Sequence, residues 1–149
     1  MIRTSNKSSH EIQELAVKNG SSLSPLYCHV ADLVSYWGKD LIGKHGYSLV
    51  GAVVGATHSE QGAALRSRLP NTFFLVPGYG AQGGTGADLR GYFDKNGLGI
   101  IVNSSRGING AWLKDKDMSK NPELGVDFAE ASRKAVIAMR NDLQLAMEG

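Results

Sequence analysis

Two hydrophobic rhythms alternate along the chain. Near-continuous apolar runs at residues 49–54, 72–76 and 99–103 are short, and they suit strands buried on both faces, as in a parallel sheet covered by helices. Elsewhere apolar residues recur at helical spacing. Ile12, Leu15 and Ala16 follow a Ser8–Glu11 capping-box pattern, and residues 19–22 break the helix so predicted. Leu26, Val30, Leu33, Val34 and Trp37 predict a second helix, with Ser24 as its cap, Pro25 in its first turn and Gly38 at its end. Thr57 and Glu60 form another capping-box pattern, opening a helix through Leu65 and Leu69 that Pro70 terminates. Leu89, Tyr92 and Phe93 mark a helix closed by Gly97. Phe128, Ala131, Ala135, Ala138, Met139, Leu143 and Ala146 mark the buried face of a long last one. Residues 2–5 lean towards β structure and residues 6–9 stop them. Strand then helix, four times over, with an extra helix after the first strand, predicts an α/β fold with a parallel sheet.

Composition narrows the function classes. The length of 149 residues suits one domain, and 42% hydrophobic with 20% charged residues permits a core and argues against disorder. The lone Cys28 rules out an internal disulfide and a cysteine-built zinc site, points to a reducing compartment, and reads as a packed thiol. The formal net charge of +2 comes from dispersed basic residues, so neither a nucleic-acid stripe nor a membrane-binding patch is evident. No apolar run approaches the ~18 residues of a membrane span, and residues 1–6 do not read as a signal peptide; a soluble, cytoplasmic chain is expected. His10, His29, His45 and His58 lack metal-ligand spacing and read as surface or helix residues, so no metal site is expected. The polar stretch 109–123, with Trp112 inside and Lys114, Asp115, Lys116 and Asp117 on a solvated loop face, exceeds the usual ~2–6 residues of a βα connection.

The chemistry concentrates in two loops. Glycine supplies 19 residues of 149, about 13% against a usual ~7%, and five of them fall within residues 78–86. That loop can turn with positive φ and bring N–H groups close to a ligand, and N–H groups at a helix start favour an anion. The next strand delivers Arg106 and Gly107, and arginine grips phosphate bidentately; Gln82 adds a neutral donor opposite. Ligands of α/β folds gather at the carboxyl ends of strands, so the two loops read together as one phosphate site. Gly78, Gly80 and Gly83 also match the dinucleotide fingerprint G-x-G-x-x-G. That motif needs an acidic residue about 20 positions on, whereas the following strand ends in Asn103, Ser104, Ser105 and Arg106, and Asp94 precedes it.

A phosphate held by the last two βα loops is the recurring arrangement of the (β/α)8 barrel. The run Phe74, Leu75, Val76, Pro77, Gly78, Tyr79, Gly80, Ala81, Gln82, Gly83, Gly84 and the run Ile101, Val102, Asn103, Ser104, Ser105, Arg106, Gly107, Ile108 resemble the last two strand–loop signatures of orotidine 5′-phosphate decarboxylase, in its longer bacterial subfamily. Residues 53–57 resemble its sixth strand and residues 3–6 its fifth. The resemblance implies a TIM-barrel half covering about strands 5–8, with residues 1–149 the carboxyl-terminal half of a single barrel domain. It also implies decarboxylation of orotidine 5′-phosphate to UMP and carbon dioxide in pyrimidine biosynthesis, without metal or organic cofactor. By resemblance Gln82 and Arg106, helped by the backbone of Gly83 and Gly107, bind the 5′-phosphate. Ser5 binds the pyrimidine amide, flanked by Thr4 and Asn6, and Pro77 packs against the base. The family's reacting Asp-x-Lys-x-x-Asp array has no counterpart here, since no aspartate begins that pattern. The family is homodimeric, with an aspartate of the missing half completing the partner's site. The expectation is therefore a half inactive alone, partnered by an amino-terminal half-barrel; a non-catalytic nucleotide-binding remnant or, further off, a dinucleotide-binding domain are the alternatives.

Overall fold

The computed structural model describes residues 1–114 and 128–148. A 3-10 turn at Lys7–Ser9 leads into α1 (His10–Gln13), an antiparallel hairpin of β1 (Ala16–Asn19) and β2 (Ser22–Pro25), and α2 (Leu26–Gly38). Three further strands follow: β3 (Ala52–Val53), β4 (Phe74–Pro77) and β5 (Ile100–Asn103). Helix α3 (Ser59–Arg68) joins the first two; α4 (Gly86–Leu89), extended by a 3-10 turn at Arg90–Tyr92, joins the second pair. After β5 come α5 (Ser105–Asn109), a 3-10 turn at Ala111–Lys114 and α6 (Phe128–Glu148).

β3, β4 and β5 are parallel and adjacent in chain order, with Ala52 opposite Phe74, Phe74 opposite Ile100 and Pro77 opposite Asn103. Residues 2–3 add a rudimentary fourth stave. Arg3 bridges Val54 in parallel, the Ile2 amide donates to the Val53 carbonyl at 2.9 Å, and the Gly55 amide donates to the Arg3 carbonyl at 2.8 Å. Neighbours that keep chain order, all parallel and joined through helices, form the wall of a β/α barrel; a doubly wound sheet would reverse its order at a switch point.

The two faces of this sheet differ. Ala52, Val54, Phe74 and Val76 point to the helices and are buried, while Leu75 and Ile101, one register position along, are 43% and 57% exposed on the opposite face. Alternation along a strand makes that second face the one a closed barrel would fill with side chains from the rest of its wall. On the helix side, the Arg66 guanidinium stacks 3.9 Å over the Phe74 ring and donates to the carbonyls of Leu69, Thr72, Tyr92 and Gly99. It thereby staples the chain entering β4 to the chain entering β5.

Several boundaries differ from the sequence expectation. The helix after residue 8 stops at Gln13; Ile12 and Leu15 are exposed, and Ala16 starts β1 instead. No Ser8 cap forms, because the Ser8 hydroxyl accepts from Asn6. Residues 19–22 are the tip of a hairpin, where Gly20 at φ 59° leads a two-residue loop. α2 is capped at Pro25 rather than Ser24, whose hydroxyl meets His29 Nε2, and its Leu33 and Trp37 are exposed; Ala31, Val34 and Gly38 form the buried face. The run 49–54 contributes only its end to the sheet, since the amides of Ser48 and Leu49 close a preceding loop by donating to Asn71 and Leu41. Thr57 does not cap α3 but donates to the Ser5 carbonyl at 3.1 Å. Phe128 and Ala138 of α6 are exposed, Leu143 packs on the core, and residues 105–109 are helical where a loop was expected. Of the stretch 109–123, residues 115–123 lie outside the described residues, as do Asp115, Lys116 and Asp117; Lys114 is exposed. Cys28 is half-buried in α2.

Candidate functional site

The carboxyl ends of β4 and β5 open into a cleft of about 150 Å³ lined by Pro77, Gly78, Gln82, Asn103, Ser105 and Arg106, among others. Its floor is set by register. Pro77 and Asn103 are paired at the last position of their strands, so the two loops leave the sheet side by side. The first loop reverses tightly: Gly78, Gly80 and Gly83 take φ of 103°, 70° and 96°, which only glycine adopts readily. The Gly80 amide donates to the Gly84 carbonyl at 2.8 Å and the Gly83 amide to the Gly80 carbonyl at 2.9 Å. The loop is thus a self-bonded knuckle that presents Gln82 at its tip.

The glycine at position 78 also brings Ser5 in. A Cβ there would fall 3.0 Å from Gln82 Oε1 and 3.1 Å from Ser5 Cβ, so both side chains converge on its surface. Ser5 is held from beneath: the Thr57 hydroxyl donates to its carbonyl, and Gly55 allows contact so close that a Cβ would sit 2.7 Å from the Ser5 amide nitrogen. Thr4 is engaged elsewhere, its amide donating to Gln13 Oε1 at 3.1 Å and its hydroxyl to Asn6 Oδ1. Four of the sequence-selected side chains, Ser5, Pro77, Gln82 and Arg106, therefore lie at the carboxyl end of the sheet, while Thr4 faces the α1 side chains.

The anion donors differ from the expectation at one point. The start of α4 is closed by the protein's own carboxylates: Asp88 accepts from the Thr85 amide in a capping box, and Asp142 of α6 accepts from the Gly86 amide at 2.7 Å. A phosphate or pyrophosphate on that helix start would meet two negative side chains, which also counts physically against a dinucleotide. The Gly83 amide, too, is spent within its loop. The open donors lie in the second loop, where the first-turn amides of Arg106 and Gly107 have no intrahelical acceptor and the Arg106 side chain is exposed at the cleft.

Three supporting residues, Ser104, Tyr79 and Asp142, are not among the sequence-selected candidate site residues, and only Asp142 lies outside the two strand–loop runs. Buried Ser104 donates its hydroxyl to the Tyr79 carbonyl at 3.0 Å. The Tyr79 hydroxyl donates to Asp142 at 2.7 Å; burial first, then that hydrogen bond, push the phenol up to about 12. Asp142 could have been suspected as an acid beside apolar Met139 and Leu143 on α6. Among the histidines, His58 departs from the surface expectation: it is partly buried, with Nδ1 3.5 Å from Arg3 Nη2, and burial followed by the Arg3 charge holds it below the usual imidazole range. Arg3 is buried and bound by Ser9, Gln13, Gln61 and Glu14, which makes it an anchor of the first stave.

Curated relatives match the chain along nearly its whole length. It is 53% identical over 140 residues to an orotidine 5′-phosphate decarboxylase of Caldicellulosiruptor bescii, covering 93% of this chain and 45% of that one. A decarboxylase of the same name from Clostridium perfringens (strain ATCC 13124) is 44% identical over 147 residues, covering 99% of this chain and 47% of its own length. In sequence, the chain matches the carboxyl-terminal half of orotidine 5′-phosphate decarboxylases. It spans about half the length of the curated relatives it matches. The crystal structure of the Plasmodium berghei orotidine 5′-monophosphate decarboxylase superposes with a TM-score of 0.67 over 99% of this chain and 40% of that one; at 18% identity it speaks for the fold, a TIM barrel of which this sheet is a part. No protein-family model matches the chain. Among the described residues no helix is long and apolar enough to cross a membrane.

Proposed function

We propose that residues 1–149 form the phosphate- and base-gripping half of an orotidine 5′-phosphate decarboxylase, which converts orotidine 5′-phosphate to UMP and carbon dioxide in pyrimidine biosynthesis. The convergence of Ser5, Pro77, Gln82 and Arg106 at the carboxyl ends of consecutive parallel strands carries this reading. Arg106, with the amides of Arg106 and Gly107, takes the 5′-phosphate from one side; Gln82, presented by the turn at Gly83, takes it from the other. Ser5 hydrogen-bonds the pyrimidine amide, Thr4 shapes the backbone beside it, and Pro77 packs on the base. Grip on the phosphate matters to a reaction at the distant pyrimidine ring because binding energy from non-reacting groups can be directed to the transition state.

The chain holds no Asp-x-Lys-x-x-Asp array, so it binds but does not decarboxylate alone. Its partner is an amino-terminal half-barrel that covers Leu75 and Ile101 and brings the lysine and aspartates; the completed enzyme is a cytoplasmic homodimer. Two measurements test this. Calorimetric titration of the chain with UMP is expected to show binding that Arg106→Ala weakens by about tenfold or more, the scale of a lost charge-assisted contact. Mixing the chain with the amino-terminal half of a relative is expected to restore decarboxylation. Equal UMP affinity in the Arg106→Ala protein defeats the proposed grip, and activity of the chain alone defeats the division of labour. UMP binding without restored activity favours a nucleotide-binding remnant.

A further inference from the structure

The side chains that face the substrate in the proposed site are tied together by a half-buried network that reaches the last helix. A single oxygen of Asp142, Oδ2, accepts from the Tyr79 hydroxyl and from the Gly86 amide, each at 2.7 Å. These two donors flank the knuckle that carries Gln82, one near its entry and one at its exit. At the other end of Tyr79, its carbonyl accepts from the Ser104 hydroxyl at 3.0 Å, and Ser104 immediately precedes the helix carrying Arg106. The packing leaves no slack. A Cβ on Gly86 would lie 2.5 Å from the Asp142 carbonyl oxygen, and one on Gly107 would lie 2.4 Å from the Ser104 hydroxyl.

We infer that Asp142 and Ser104 are positioning residues for a phosphomonoester: through Tyr79 they fix the separation between Gln82 and Arg106. The inference rests on the phosphate grip proposed above. Asp142 holds the knuckle against α6, and Ser104 locks the same tyrosine to the second loop, so the two sides of the grip cannot drift apart independently. A bidentate clamp is sensitive to such drift, since displacement by about 1 Å of a positioned group can cost up to ~100-fold. Both hydrogen bonds to Asp142 fall on one oxygen, so an amide oxygen in its place can accept both. The carboxylate is needed for its geometry rather than its charge.

The test titrates UMP and, separately, inorganic phosphate into the full chain and into D142L, D142N, S104A and Y79F, with thermal unfolding recorded for each. The expected result is a loss of about tenfold in affinity for both ligands in D142L, S104A and Y79F, with D142N within about threefold of the parent. Should D142L fail to fold, Y79F decides the matter, because it removes one of the same bonds through a single oxygen. Parent-like affinity in Y79F and S104A overturns the inference while leaving the grip intact; D142N as weak as D142L overturns it as well, by tying the effect to charge. Failure of the parent chain to bind either ligand overturns both the inference and the grip on which it rests.

Discussion

Gly55→Ala is the sharpest probe of how the first stave serves the site. The new Cβ would lie 2.7 Å from Ser5 N, 2.9 Å from Ser5 Cα and 2.9 Å from the Thr4 carbonyl carbon. All three are backbone atoms, so no rotamer change relieves the contact. Reaching ordinary van der Waals distance, which starts near 3.4 Å, requires the segment to retreat by about 0.7 Å. That movement stretches the Gly55-to-Arg3 hydrogen bond of 2.8 Å and the Thr57-to-Ser5 bond of 3.1 Å, which tie the stave to β3 and its following loop. Overpacking of this kind destabilises by about 1–3 kcal/mol. The functional effect is selective. Ser5 leaves the position from which it can meet a pyrimidine, while Gln82 and Arg106 stay where they are. Titration with UMP and with ribose 5-phosphate separates the two: UMP affinity is expected to fall by about tenfold, and ribose 5-phosphate affinity to stay within about twofold. Equal losses for both ligands, or none for either, would refute the assignment of Ser5 to the base.

Other expectations follow from the same contacts. Arg66→Ala strands four carbonyls that now accept from one buried guanidinium; chemical denaturation should show a loss of at least about 3 kcal/mol, and a loss below about 1 kcal/mol contradicts the stapling role. Asp94 titrates with a sign that can be checked. Its own desolvation raises the carboxyl pKa, but hydrogen bonds from Tyr47, Leu98 and Asn96 outweigh it and the folded value lies below the usual 3.8. Its contribution to stability is therefore present above that unfolded value and disappears as pH falls through the lower folded one. In acid titrations monitored by circular dichroism, Asp94→Ala should show a shallower loss of stability across that interval; an unchanged slope removes Asp94 from the acid response. Leu75→Glu with Ile101→Glu should abolish rescue of decarboxylation by an added amino-terminal half while the chain keeps its own circular dichroism spectrum, and undiminished rescue shows that the exposed sheet face is not the docking surface.

Legibility in the sequence followed burial. β4 and β5 are readable because both of their faces are apolar: Phe74, Val76, Ile100 and Val102 pack towards the helices, and Leu75 and Ile101 on the opposite face complete the unbroken runs. The glycine knuckle was readable because positive φ at Gly78, Gly80 and Gly83 restricts the residue type. The first quarter of the chain was not. Ile12 and Leu15 keep an apolar spacing without a partner surface, so periodicity suggests a longer helix than local packing sustains, and the Gly20–Ser21 loop that joins two strands reads in sequence as a helix break. Capping patterns misled at Ser8 and Thr57, because a tertiary acceptor, the Ser5 carbonyl, competes for the Thr57 hydroxyl. The chemical candidates were visible, but their braces were not. Ser104 and Asp142 act over 25 and 63 residues of sequence separation from Tyr79, and only folding brings them to it.

The sheet that carries the site has two unlike margins. Among the described residues, one is the two-residue stave at Ile2 and Arg3 and the other is the four-residue β5, and all staves point the same way. Units whose opposite margins differ associate head to tail, and such contacts either close into a ring or continue as a filament. A chain of this shape, kept at high concentration without a complementary wall, has a direction of growth written into its polarity.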